Sequence, residues 1–190
     1  MTEKRPLPTK DRLIRAASDL FRRGGYHGVG LNELLAAADA PKGSLYHHFP
    51  NGKSDLAIAA ATWASDRLLR MIASAYEPAQ SFDDGTRKLC ENLAEIFDHS
   101  GQWDGCPIGA TLFEGPDNMV FRNHAAHLYE GWIAEVTGHA DRLGVSNPKM
   151  RADTLFMLIH GAWQLSRARQ DAAPLRSLAD ILATNSDPMH

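Results

Sequence analysis

Residues 42–48 carry the side chains with the clearest chemistry in this chain: Lys42, Gly43, Ser44, Leu45, Tyr46, His47 and His48. With Leu45 turned inward at helical spacing, Lys42, Ser44, Tyr46, His47 and His48 stay available as short or flat donors and acceptors. Groups of this kind, presented from the N-terminal half of a helix, can read base edges in a DNA major groove. Lys4, Arg5, Lys10, Lys42 and Lys53 could add phosphate contacts, which position a protein and make binding salt-dependent. No arginine stands in this run to fork onto a guanine, so base reading by this helix should be modest. Periodicity alone equally allows a small helical subdomain with a polar face.

A second set lies further along. Phe97, Trp103, Phe113, Met119, Phe121, Tyr129, Trp132, Phe156, Met157 and Trp163 make the rest of the chain dense in aromatics and methionine. Each is a core candidate first. Together they allow an apolar cavity, with Asn92, Cys106, His124, His127, His160 and Gln164 as polar handles. The expected ligand contacts are Phe97, Trp103, Cys106, Phe113, His124, Trp132, Phe156, His160 and Trp163, and the ligand would be hydrophobic or aromatic.

Other chemistries find less support. His124 and His127 lie three apart and Cys106 is available, but the usual metal-ligand spacings are missing. Neither a metal nor a cofactor is expected. The glycine-rich residues 24–30 do not follow a strand and lack the dinucleotide fingerprint order. No Gly-x-Ser-x-Gly run or phosphate loop occurs, and Glu91, Glu95 and Glu114 suit a solvated face better than a carboxylate pair. Catalysis is therefore not expected. A helical ligand-binding or adaptor protein that does not read DNA stays open as an alternative.

The elements that must hold these residues are helical. With 190 residues, 44% apolar and 23% charged, the chain can fold without disulfides, and two cysteines make no disulfide framework. No signal peptide is visible at the N-terminus, and the uncharged run 154–166 is too short to span a bilayer. A cytoplasmic protein with no membrane partner is expected. Residues 1–53 hold nine Lys/Arg against five Asp/Glu, a net +4, while the remainder carries eleven against eighteen, a net −7. A basic N-terminal quarter on an acidic body suits a polyanion at one end.

Apolar spacing predicts about nine helices and no strand. The first covers 10–23, capped by Thr9 and stopped by Gly24 and Gly25. Two short helices follow at 31–38 and 42–48, then longer ones at 54–75 and 82–99, the latter with Ser81 and Asp84 as a capping box. A short helix after Pro107, a long one over 117–143, one over 148–169 opened by Pro148, and a last amphipathic one around Leu175 to Leu182 complete the set. The helix over 148–169 is apolar nearly all round, which predicts burial on several sides. Either it is the central helix of a monomer or it packs with the last helix in a dimeric four-helix bundle.

Helix, tight turn around residues 38–41, helix is the plan of a helix-turn-helix. Gly25 and Tyr26, then Leu34, then the run from Lys42 to Phe49 resemble the TetR family of bacterial transcriptional regulators over about residues 9–56. Phe49, Pro50, Asn51, Gly52 and Lys53 run one residue longer than the family commonly does. With Gly105, Cys106, Pro107, Ile108, Gly109 and Glu114, this is similar to the LmrA/YxaF-like subgroup.

The resemblance implies an all-α fold with a helix-turn-helix domain over 1–54 and an effector-binding and dimerisation domain over 55–190. It implies a homodimer on a double-stranded, pseudo-palindromic operator, repressing transcription until a small hydrophobic effector binds. Lys42, Gly43, Ser44, Tyr46 and His47 fall where the family meets DNA bases and backbone. Lys53 falls where it meets phosphate, and Lys10 and Asn32 are further candidates. Three positions depart from the family pattern: Gly30 replaces the usual hydroxyl cap, Asp39 the turn glycine and Pro41 the serine that opens the recognition helix. Asp39 should still adopt a left-handed backbone, and Pro41 fits a first helical turn.

Overall fold

The computed structural model describes residues 7–102, 104–113 and 118–184. Among these, nine helices and no strand are present: α1 Thr9–Gly28, α2 Leu31–Ala37, α3 Lys42–His48, α4 Lys53–Tyr76, α5 Phe82–His99, α6 Gly109–Leu112, α7 Met119–Arg142, α8 Pro148–Arg169 and α9 Ala173–Thr184. The all-α expectation holds. The chain packs as two units, residues 1–66 with 107–128 and residues 67–106 with 129–190. The division passes through α4 and α7. It is a division of packing, distinct from the functional boundary expected between residues 54 and 55.

In the first unit, Leu13, Ala17 and Phe21 of α1 are fully buried, as their spacing predicts. Thr9 is not the cap. The helix begins one residue earlier than expected, with Pro8 preceding it and no side-chain capping bond. Proline biases the residue before it toward extended backbone, so the start is fixed there, and the Pro8 carbonyl accepts from the Arg12 amide at 3.1 Å. The expected stop at Gly24 and Gly25 is a break instead. Gly25 has φ 71°, ψ 168°, and one further helical turn follows it. That positive φ favours glycine, and it is followed by Tyr26 set 5.7 Å from Phe21 and 5.2 Å edge-on to Phe121.

In the second unit, α5 packs on α9, and α8 on α9. Leu89, Phe97, Leu155 and Leu175 are buried. Ser81 caps α5, its Oγ accepting from the Asp84 amide at 3.1 Å. The Asp84 carboxylate accepts from the same hydroxyl at 2.7 Å. Tyr76 is fully buried, its hydroxyl 2.7 Å from Thr86 Oγ1, its carbonyl accepting from Arg142 at 2.7 Å, and its ring stacked on His139. Gly85 lies under that ring.

α8 separates the two arrangements open to it. Ala152, Leu155, Phe156, Ile159 and Ala162 are buried, but Met157 is 67% exposed, Leu165 50% and Leu158 37%. The helix is covered on one side only, because among the described residues no other helix of this chain lies over Met157 and Leu165. It is not the central helix of a monomer.

Candidate DNA interface and effector site

The turn between α2 and α3 is set by backbone geometry. Asp39 takes φ 46°, the left-handed conformation expected of it, and its amide donates to Ala36 O at 3.1 Å. The Ala40 amide donates to Leu35 O at 3.0 Å. Pro41 stands just before the helix rather than in its first turn, with extended backbone, and its carbonyl accepts from the Ser44 amide. Leu34 and Leu45 are fully buried, and Ala38 and Phe49 nearly so, as their positions imply.

Sequence reasoning missed the side chain that ties this turn to α1. The Arg12 guanidinium donates from Nε to Ala38 O at 2.9 Å, from one terminal nitrogen to Asp39 O at 2.7 Å, and from the other to Leu7 O at 3.2 Å. The last carbonyls of a helix have no partner within it. An arginine on a neighbouring helix is suited to take them, but the sequence does not show which arginine reaches.

With 100° per residue, Lys42, Tyr46, Gly43 and His47 span an arc of about 140° on α3. All four are exposed, Tyr46 at 46%. Ser44 and His48 are half-buried and lie outside that arc, about 60° and 100° beyond His47. The longer connection after α3 is held by Asp55, whose carboxylate accepts from the Asn51 amide at 2.8 Å and from Asn51 Nδ2 at 3.1 Å. Gly52 has φ 64°, and a Cβ there would come within 3.1 Å of the Tyr46 ring. The connection therefore puts a glycine against the exposed tyrosine. Of the expected phosphate contacts, Lys10 and Asn32 are exposed on α1 and α2. Lys53 is half-buried, its ammonium 4.4 Å above the Tyr26 ring, a cation–π distance. Lys4 and Arg5 lie outside the described residues.

The expected effector contacts separate. In the second unit Cys106 Sγ is 3.5 Å from the Tyr129 hydroxyl and 4.0 Å from His160 Nε2. Tyr129 meets Trp132 edge-on at 5.1 Å, and Trp132 stacks on Phe156 at 5.9 Å. Phe97 meets Trp163 edge-on, and the Trp163 indole donates to Asp104 O at 3.0 Å. Cys106, Trp132, Phe156 and His160 thus come together around Tyr129. That tyrosine had been counted only among the aromatics, because nothing in its spacing marks it as the link. Phe113 and His124 fall in the first unit. Phe113 is exposed, and His124 Nε2 is 2.8 Å from Thr62 Oγ1, with burial and then nearby His127 pulling its pKa below the ordinary value. Trp103 and Glu114 lie outside the described residues.

Comparison with known proteins agrees with this geometry. Residues 13–60 match the family "Bacterial regulatory proteins, tetR family". Residues 84–181, just over half the chain, match "Transcriptional regulator LmrA/YxaF-like, C-terminal domain". The chain is 39% identical over 171 residues to the transcriptional regulator AcuR of Cereibacter sphaeroides, covering 85% of this chain and 77% of that protein. It is 29% identical over 175 residues to the uncharacterized HTH-type transcriptional regulator YxaF of Bacillus subtilis, covering 90% and 92%. The crystal structure of regulatory protein TetR from Rhodobacter sphaeroides superposes with a TM-score of 0.81 at 24% identity, over 93% of this chain and 97% of that one. The helix-turn-helix of α2 and α3, with the helical remainder, belongs to a DNA-binding transcriptional regulator: this chain is a member of the TetR family with a C-terminal domain of the LmrA/YxaF-like kind.

Proposed function

We propose that the protein is a homodimeric repressor that binds a pseudo-palindromic operator through α3 and leaves it when a hydrophobic small molecule occupies the helical remainder. The observation that carries this reading is the exposed arc of Lys42, Gly43, Tyr46 and His47 on a helix anchored by fully buried Leu45. Tyr46 and His47 read bases, with Ser44 just outside the arc. Lys42, Lys10, Asn32 and Lys53 meet phosphate. Residues 1–54 are the reading domain and 55–190 the effector and dimer domain.

The uncovered side of α8, with Met157, Leu158 and Leu165, and exposed Ile181 on α9 support dimerisation through these two helices. A two-fold dimer places two copies of α3 about one DNA turn apart or slightly more. Effector and operator are coupled if the effector binds better to the conformation whose reading helices are wrongly spaced. α4 has residues in both packing units and is the direct route for that change. The protein acts in the cytoplasm, and no described helix is long and apolar enough to cross a membrane. It performs no catalysis of its own.

The test is selection of bound fragments from sheared genomic DNA by the purified protein at near-physiological salt. Enrichment of a palindrome supports the reading. No enrichment by a folded dimer freed of small molecules refutes it and favours the adaptor alternative. On the recovered operator, Tyr46→Ala should weaken binding by about 1–3 kcal/mol.

A further inference from the structure

Lys53 opens α4, at the positive end of that helix, where a cation is disfavoured. Asp55, the acid in the same turn, is engaged by the Asn51 amide and Asn51 Nδ2. What favours the ammonium here is aromatic. Lys53 Nζ lies 4.4 Å from the centre of the Tyr26 ring and 5.9 Å from that of Phe21, both within cation–π range. We propose that Tyr26 is a positioning residue for operator binding: its ring holds the Lys53 ammonium in place for phosphate, and its edge-on contact with Phe121 makes that hold depend on α7. The inference rests on the phosphate role given above to Lys53.

A ring suits this task better than an acid would. A carboxylate beside Lys53 would cancel its charge and occupy its N–H groups. An aromatic face limits where the ammonium goes and leaves both charge and donors for a phosphate oxygen. A lysine ordered before DNA arrives also has less rotamer freedom left to lose on binding.

The ring is itself held in place. Gly25, at φ 71°, breaks α1 just before Tyr26. Phe21 then lies 5.7 Å from the ring, His27 5.2 Å edge-on and Phe121 5.2 Å edge-on. Phe121 is fully buried in the first turn of α7, where Asn118 Oδ1 accepts from its amide at 3.1 Å. Tyr26, Lys53, Phe21 and Phe121 all belong to the first packing unit. Tyr129 and Trp132 of the expected effector cluster follow on the same helix, about two and three turns further on. A shift of α7 therefore reaches Lys53 through Phe121 and Tyr26, beside the route along α4.

The test uses the full chain labelled with carbon-13 at lysine Cε, and the operator recovered by the genomic selection. In the free protein the Lys53 Cε protons should resonate upfield of the other lysines through the ring current of Tyr26, and Lys53→Met assigns the signal by removing it. Tyr26→Leu should return the signal to its ordinary position, and Tyr26→Phe, which keeps the ring, should not. On the operator, Lys53→Met should flatten the logarithmic salt dependence by about 0.9 for each protomer. Tyr26→Leu should weaken binding about two- to fivefold for each protomer and flatten the slope in the same sense. Added to Lys53→Met it should cost less than about twofold more. A packing role for Tyr26 would lower affinity, leave the slope alone and add its full cost to Lys53→Met. Phe121→Leu, read below its melting temperature, should move the Lys53 signal part of the way. A Lys53 signal unchanged in Tyr26→Leu overturns the proposal, as does Tyr26→Leu binding with wild-type affinity and slope. The phosphate reading stands in either case if Lys53→Met flattens the slope. A Lys53 signal unmoved by Phe121→Leu overturns the dependence on α7. An unchanged slope in Lys53→Met overturns the phosphate role of Lys53, and this proposal with it, even where the ring-current shift is present.

Discussion

Replacing Arg12 with methionine should disable DNA binding without touching DNA. The side chain keeps its reach along α1 but loses its donors to Ala38 O, Asp39 O and Leu7 O. A bond from a charged donor is worth about 1.5–3 kcal/mol net, but the bonds to Asp39 and Leu7 are exposed and add little, so the part-buried bond to Ala38 O supplies most of the loss. The Leu7 bond is also long. A total of about 2 kcal/mol follows, or a fall in melting temperature of about 4–8 °C for a chain of this size. Each copy of α3 then loses the tie that fixes its turn, and operator affinity should drop about tenfold or more. The decisive assay is affinity against salt concentration. If Arg12 neutralised a phosphate in each protomer, its removal would flatten the logarithmic salt dependence by about 0.9 per phosphate. Removing a bond that only positions α3 lowers affinity and leaves the slope alone. Arg12→Met with an unchanged melting temperature and a flatter slope would show that Arg12 meets phosphate and that the reasoning is wrong. Arg12→Lys should fall between, since one ammonium cannot serve the fork of three carbonyls.

Gly52→Ala combines a positive φ with a Cβ 3.1 Å from the Tyr46 ring, so about 1–2 kcal/mol of stability should go, with weaker operator binding, measured by thermal melts and titration of the operator. In Gly85→Ala the new Cβ would stand 2.2 Å from Tyr76 Cδ1. Because Tyr76 is held at its hydroxyl and its carbonyl, about 2–3 kcal/mol should disappear in denaturant unfolding. Leu165→Glu, on the uncovered side of α8, should leave the melting of the monomer nearly untouched but shift sedimentation from dimer to monomer at micromolar protein. A dimer of unchanged strength would mean that another surface mediates assembly.

What the sequence disclosed followed the local chemistry. α3, α5 and α8 begin and end where the sequence puts them, because Pro41, Ser81 and Pro148 act within one turn of the helix they open. The exposed arc of α3 was legible for the same reason: a seven-residue helix with one buried leucine leaves little freedom about which side chains face out. The start of α1 was misassigned because Thr9 has the right side chain for a cap while Pro8, next to it, decides where the helix can begin. Pairings across the fold were the hard part. Arg12 reaches residues 26 and 27 positions away, and Cys106 meets a histidine 54 positions on. No periodicity encodes such pairs. The pattern of α8 was read correctly as apolar on several sides, but a sequence does not say whether the cover comes from the same chain.

The division of labour around α3 bears on how such a protein diversifies. Leu34, Leu45 and Arg12 hold the helix from behind, while Lys42, Gly43 and His47 face out and are not among the buried anchors. Those three positions can therefore be exchanged at little cost to folding, and duplicated genes could drift to new operators through stable intermediates. Tyr46 is the exception. Its ring leans on Gly52, so an exchange of Tyr46 is tied to a change in the connection behind it, and the two positions would drift together.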